Sequence, residues 1–168
     1  IIKPKTANKM DYEVEVAIVI GKKGKNITEE KAQDYVFGYC IVNDVSERSW
    51  QKERGGQWIK GKSIAGPCGP YLVTKDEIKD INNINLTLDV NGERRQTGNT
   101  ERMIFNFNFL ISHISQFMTL YPGTIITTGT PAGTAMEMSV PKFLKANDKL
   151  NLKVDYLGEQ NQVVIDES

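Results

Sequence analysis

The 168-residue chain holds one histidine and two cysteines, and its 21 Lys plus Arg balance 21 Asp plus Glu. Each shortage excludes something. One histidine with two widely separated cysteines, Cys40 and Cys68, and no C-x-x-C argues against a zinc site or a disulfide framework and leaves a single disulfide open. Such cysteine usage suits a reducing compartment, and cytoplasmic localisation is the expectation. Zero formal charge means no whole-chain field that attracts nucleic acid or anionic membrane. No apolar run approaches the roughly 20 residues needed to span a bilayer. A content of 39% hydrophobic and 25% charged residues is that of a soluble globular protein, and the length suits one domain, residues 1–168. The opening "IIKPKTANKM" has neither the apolar core of a signal peptide nor the Arg and Ser bias of a transit peptide.

What is present reads mainly as strands. Residues 12–20, "YEVEVAIVI", alternate and then become continuously apolar, as a strand entering a buried sheet does. Thr28 is placed to cap a short helix running to about Phe37, and "YCIVNDV" resumes as a strand. Residues 46–70 are polar and rich in glycine, the kind of long connection that carries function. "YLVT" is a short strand, and "INLTLDVNGERRQTG" is a hairpin whose Asn91-Gly92 pair supplies positive φ angles. Apolar residues at Ile104, Phe107, Leu110, Ile111, Ile114, Phe117 and Met118 predict the main helix, with Thr100 as its cap. "TIITTGTPAG" is a buried strand opening into a small-residue loop, and a hairpin around Leu157-Gly158 closes the chain.

The stretch "GQWIKGKS", residues 56–63, fits the phosphate-loop pattern G-x-x-x-x-G-K-[ST]. That loop needs a strand before it and a helix after it, since the helix N-terminus holds the phosphates. Here "RSWQKERG" precedes, and Gly66, Pro67, Gly69 and Pro70 follow and prevent a helix. The nucleotide reading fails, and Lys62 needs another role.

Glu13 and Glu15, two apart on a strand, leave the same face about 6 to 7 Å apart. On an exposed edge an E-x-E pair is merely solvated. Here Ala17 and Val19 carry the same face into an apolar run, so the carboxylates stand at the core entrance, where a cation must compensate them. Asp44, ending the apolar strand "YCIV", is placed to be a third ligand. Three oxygen ligands without His or Cys favour Mg²⁺ or Mn²⁺, and Ca²⁺ less.

"DYEVEVAIVIGK", "NDVSERSWQ", "GGQWIKGKS", "GPYLVT", "ISQFMTLYPGTIITTGTPAG" and "LGEQ" occur in an order that resembles the C-terminal catalytic domain of the fumarylacetoacetate hydrolase family. The resemblance implies an α+β, mainly β fold, a mixed β roll with one main helix. It implies that Glu13, Glu15 and Asp44 are divalent-metal ligands, that Arg48, Gln51 and Thr130 contact substrate, and that Lys62 is the active-site lysine. The implied activity is metal-dependent hydrolysis of a carbon–carbon bond in a small acylpyruvate or 2,4-diketo acid, through a metal-stabilised enolate, by a homodimer with no nucleic-acid or membrane partner. An isomerase, decarboxylase or lyase acting on a 2-oxo acid shares that metal site. A silent metal-binding or dimerising scaffold is the third reading.

Two departures stand out. The family's water-activating His and Glu pair lies upstream of the E-x-E strand, where "IIKP" is separated from "DYEVE" by only "KTANKM"; a missing N-terminal lid segment is the expectation. His113, in the main helix beside Ile111 and Ile114, reads as a packing or surface residue rather than that base. "IAGPCGP" after "GKS" and "AGTAMEM" after "GTP" also differ from the family and bear on substrate specificity.

Overall fold

The computed structural model describes residues 1–53 and 66–168. Its elements, in chain order, begin with β1 (Ile2–Lys3), β2 (Met10–Asp11), β3 (Val14–Ile20), β4 (Val36–Asn43), β5 (Ser46–Glu47), α1 (Arg48–Glu53) and β6 (Cys68–Thr74). They continue with β7 (Asn85–Val90), β8 (Glu93–Asn99), α2 (Phe107–Phe117), β9 (Ile125–Thr127), β10 (Lys149–Val154), β11 (Gly158–Val163) and β12 (Ile165–Asp166). Two four-stranded antiparallel sheets, ordered β6-β4-β3-β9 and β11-β10-β7-β8, form the body. The short pairs β2–β5, antiparallel, and β1–β12, parallel, accompany them. The fold is mostly β, as expected.

The two faces of β3 have different neighbours. All seven of its residues are buried. Val14, Val16, Ile18 and Ile20 join Tyr39 and Ile41 in the main core, together with Leu86, Leu88 and Val90 of β7 and Leu150, Leu152 and Val154 of β10. The apolar positions of β7 and β10 alternate with more exposed ones, as in sheets covered on one side. Burying each such aliphatic side chain stabilises the fold by about 1.5–3 kcal/mol. On the opposite face, Ala17 and Val19 pack with Cys40 and Val42 in a separate small cluster.

The helices differ from expectation in detail. Thr28 makes no side-chain cap, and Glu29–Tyr35 is a 3-10 helix that runs straight into β4. Thr100 does not cap the main helix: its hydroxyl donates to the Ile81 carbonyl and accepts from the Ile84 N–H, and it opens a separate 3-10 turn, Thr100–Arg102. Asn106 caps α2, accepting from the Phe109 N–H at 2.8 Å. Consequently Phe107 and Ile111 are buried, whereas Ile104, Phe117 and Met118 are exposed. The 46–70 connection also carries β5 and α1 rather than being irregular throughout. "YLVT" is the end of a longer strand, β6. The β7–β8 hairpin turns as expected at Asn91 and Gly92, with φ of 52° and 79°. Among the described residues no helix is long and apolar enough to cross a membrane.

Candidate metal centre

Glu13 immediately precedes β3, Glu15 is its second residue, and Asp44 follows the last residue of β4. The β3–β4 ladder pairs Val14 with Asn43 and Glu15 with Val42, which brings the strand ends together. Buried Asn43 fixes the junction: its Oδ1 accepts the Glu13 N–H at 3.1 Å, and its Nδ2 donates to Gln162 Oε1 at 2.7 Å. The Asp44 N–H donates to the Glu13 carbonyl at 2.9 Å. With both backbone groups of Glu13 held, its side chain leaves in a set direction. One carboxylate oxygen from each of Glu13, Glu15 and Asp44 then lies within 4.8 Å of the other two.

That spacing suits a shared cation. Oxygens bound at about 2.0–2.6 Å on opposite sides of one ion stand about 4–5 Å apart. Oxygen-only ligation fits Mg²⁺, Mn²⁺ or Ca²⁺ rather than zinc. Glu13 and Glu15 are both buried and Asp44 is half-buried, so the donors are drawn away from bulk water.

Arg48, at the start of α1, lies beneath this set and is 4% exposed. Its Nη2 donates to Glu13 Oε1 at 2.7 Å, its Nε to Asp11 Oδ2 at 2.9 Å, and its Nη1 to Gln51 Oε1 at 2.9 Å. Burial works against the guanidinium charge, but the Asp11 and Glu13 carboxylates outweigh it and raise the Arg48 pKa above its ordinary value. Glu47 seats α1, accepting from the Trp50 N–H and the Ser49 hydroxyl on one oxygen and from the Asn8 and Lys9 N–H groups on the other. The structure therefore places Arg48 and Gln51 in a network that orients Glu13.

Thr130 reaches β3 from the other side. Its hydroxyl donates to the Val14 carbonyl at 2.9 Å and accepts from Gln96 Nε2 at 2.8 Å. Thr128 donates to the Val16 carbonyl, and between them the Gly129 N–H donates to Glu15 Oε2 at 2.7 Å. Gly129 has φ of 91°, a conformation glycine adopts without strain. A cavity of about 490 Å³ lies against Thr130 and Pro131, with Met103, Phe105 and Leu110 opposite. Val16, Thr128 and Gly129 line it as well, and Gly129 is the residue whose N–H reaches Glu15. His113 is exposed, its ring against Phe109 and Phe117 along α2. Lys62 and the rest of residues 56–63 fall outside the described residues.

Three participants were not anticipated. Asp11 is fully buried, and besides Arg48 it accepts the N–H groups of Tyr12, Ala135 and Met136. Its two-residue spacing ahead of Glu13 and Glu15 was the available signal. Gln96 and Gly129 act through contacts made across the fold, and no local pattern marks them.

The family model for the fumarylacetoacetate hydrolase C-terminal domain matches residues 1–165. The chain belongs to this family. A Burkholderia cenocepacia protein is 53% identical over 162 residues, covering 95% of this chain and 57% of its own length. The solved fumarylacetoacetate hydrolase of psychrophilic Exiguobacterium antarcticum has a TM-score of 0.90 at 38% identity, covering 96% of this chain and 58% of that one. Maleylpyruvate hydrolase from Sphingobium, solved with manganese(II) and pyruvate, has a TM-score of 0.87 at 29% identity, covering 100% and 59%. The chain thus spans less than two thirds of the proteins it resembles. Family relatives of similar fold include a 5-carboxymethyl-2-hydroxymuconate delta-isomerase from Mycobacterium smegmatis at 33% identity.

Proposed function

We propose that this chain carries the metal-binding part of a hydrolase that cleaves a carbon–carbon bond in a small acylpyruvate or 2,4-diketo acid. The supporting observation is the convergence of Glu13, Glu15 and Asp44 oxygens to within 4.8 Å in a mostly buried site. The Sphingobium neighbour, whose structure holds manganese(II) and pyruvate, is consistent with an oxygen-ligated divalent ion beside a 2-oxo acid. Such an ion, when bound, supplies Lewis-acid chemistry, drawing charge from a carbonyl oxygen and offsetting the negative charge that develops as the adjacent bond breaks.

The chain's own residues prepare that site. Arg48 aims the Glu13 carboxylate through its Nη2, and the Gly129 N–H does the same for Glu15. Gln51 gives its amide oxygen to Arg48, which leaves its amide nitrogen as a donor for a substrate oxygen. Thr130 anchors the loop over β3 through its hydroxyl, and Lys62 is the proposed source of positive charge near the departing carbonyl.

The Mycobacterium smegmatis isomerase, a neighbour with a TM-score of 0.89, makes isomerisation of a related 2-oxo acid the second reading. Product identification separates the two. The full chain with Mn²⁺ or Mg²⁺ is offered acetylpyruvate, fumarylpyruvate and oxaloacetate while enol absorbance is followed. Pyruvate plus a carboxylic acid supports hydrolysis, and a shifted double bond without cleavage supports the isomerase. Carbon dioxide from oxaloacetate alone indicates a decarboxylase, and metal binding without turnover indicates a scaffold. Glu15→Gln should weaken Mn²⁺ binding at least tenfold in a calorimetric titration, about 1.4 kcal/mol. Equal affinity in the two proteins would sink the metal assignment.

A further inference from the structure

Cys40 and Cys68 are 28 positions apart in the chain, and their sulfurs are 3.2 Å apart in the fold. Both are free thiols, Cys40 buried and Cys68 exposed. The sheet register explains their meeting. Val42 on β4 pairs with Glu15 on β3 and with Cys68 on β6, so Glu15, Val42 and Cys68 form one row across the sheet. Residues paired in this way share a face. Cys40, two residues from Val42, shares it too and stands opposite Ala17. Beyond Cys68 the β4–β6 ladder is irregular: Ile41 pairs with Gly69, and the next pair is Tyr39 with Val73, so Cys40 has no direct partner on β6 and sits diagonal to Cys68.

We propose that Cys40 and Cys68 are a modification site, a dithiol that a peroxide oxidant converts reversibly to a disulfide on the sheet face that carries the carboxylate centre. The sulfurs need to approach from 3.2 Å to about 2.05 Å, a movement a side-chain torsion can supply in a ladder already irregular at this point. The two thiols are set up for different parts. Burial pushes the Cys40 pKa up to about 12, with the neighbouring Cys68 adding to the effect, so Cys40 is protected from direct attack on solvent-borne oxidant. Exposed Cys68 meets the oxidant first.

The steps balance with hydrogen peroxide as the co-reactant. The Cys68 thiolate attacks one peroxide oxygen, the O–O bond breaks, hydroxide departs, and Cys68 becomes a sulfenic acid while the peroxide takes two electrons. The Cys40 sulfur then attacks the Cys68 sulfur, the S–O bond breaks, and water leaves with the Cys40 proton. Overall, two thiols and one peroxide give one disulfide and two waters. The cross-link ties β4 to β6 beside Val42: Cys68 stands two strand spacings, about 10 Å, from the Glu15 row position, and Cys40 lies on β4, the strand paired directly with Glu15.

The site stands whether or not the chain hydrolyses diketo acids, and its test reads thiols rather than turnover. The full chain, freed of metal by a chelator, is exposed to hydrogen peroxide, quenched, unfolded in guanidinium with excess maleimide, and weighed by mass spectrometry. The expected result is loss of both maleimide adducts, a mass lower by two hydrogens, a linked Cys40–Cys68 peptide in the digest, and return of both adducts after dithiothreitol. In Cys40→Ala, Cys68 should pass on to sulfinic acid with no linked peptide. In Cys68→Ala, Cys40 should lose its adduct at least tenfold more slowly than in the unaltered chain. Over-oxidised Cys68 beside a freely labelled Cys40 in the unaltered chain would overturn the proposal, as would linked peptides confined to a species of doubled mass.

Discussion

Replacing Arg48 with methionine removes a cation that is 4% exposed while keeping most of its apolar stem, so packing changes little and electrostatics change a great deal. Its two hydrogen bonds to carboxylates vanish, at 2.7 Å to Glu13 and 2.9 Å to Asp11, along with the one to Gln51. At about 1.5–3 kcal/mol each the two to carboxylates sum to about 3–6 kcal/mol, and removing one partner of a buried ion pair costs about 3–5 kcal/mol. Asp11 keeps three backbone donors, from Tyr12, Ala135 and Met136, which offset part of the loss. Arg48→Met should therefore destabilise the chain by about 4 kcal/mol, a large share of the 5–15 kcal/mol that a domain possesses. Arg48→Lys, whose single ammonium cannot span both carboxylates, should lose about half as much. Urea unfolding in the presence of a chelator, with m unchanged between variants, measures both. A loss below about 1 kcal/mol for Arg48→Met would refute the view that this guanidinium holds the ligand set together.

The Glu47 carboxylate resists burial through the Ser49 hydroxyl and the N–H groups of Trp50, Lys9 and Asn8, which together keep its pKa below the ordinary value. Its contribution is complete above the unfolded value of about 4.3 and is lost as pH falls through the lower folded value. The stability gap between the unaltered chain and Glu47→Gln should thus be widest at neutral pH and shrink below about pH 4.3; a gap constant across urea titrations at several pH values would contradict this. Asn106→Ala should cost about 1 kcal/mol by removing the α2 cap, while Thr100→Val, because Thr100 is buried with two backbone partners, should cost more than an exposed cap would. Equal losses with unchanged α2 exchange rates in Asn106→Ala would argue against Asn106 as the cap.

The E-x-E pair and Asp44 were legible because strand alternation and the end of an apolar run are local properties, and β3 and β4 obey both. The mainly β fold and the Asn91-Gly92 hairpin were legible for the same reason. The start of α2 was not, since the apolar stripe continues upstream through Ile104 and nothing local marks Asn106 over Thr100; only the docking of Thr100 against residues 81–84 decides between them. The orienting position of Arg48 depends on α1 being seated by Glu47 against residues 8 and 9, some 38 positions earlier in the chain. The meeting of Cys40 with Cys68 depends on an irregularity in the β4–β6 register, which composition cannot express.

Strand β9 ends at Thr127, yet the chain keeps following β3 for three more residues by a different means. The hydroxyls of Thr128 and Thr130 occupy the Val16 and Val14 carbonyls, acceptors that a longer β9 would have filled with main-chain N–H groups. Side chains stand in for the ladder, and the main chain is released from it. Between them the Gly129 amide, at φ of 91°, donates to the Glu15 carboxylate, so two threonine hydroxyls hold a backbone donor that faces the centre.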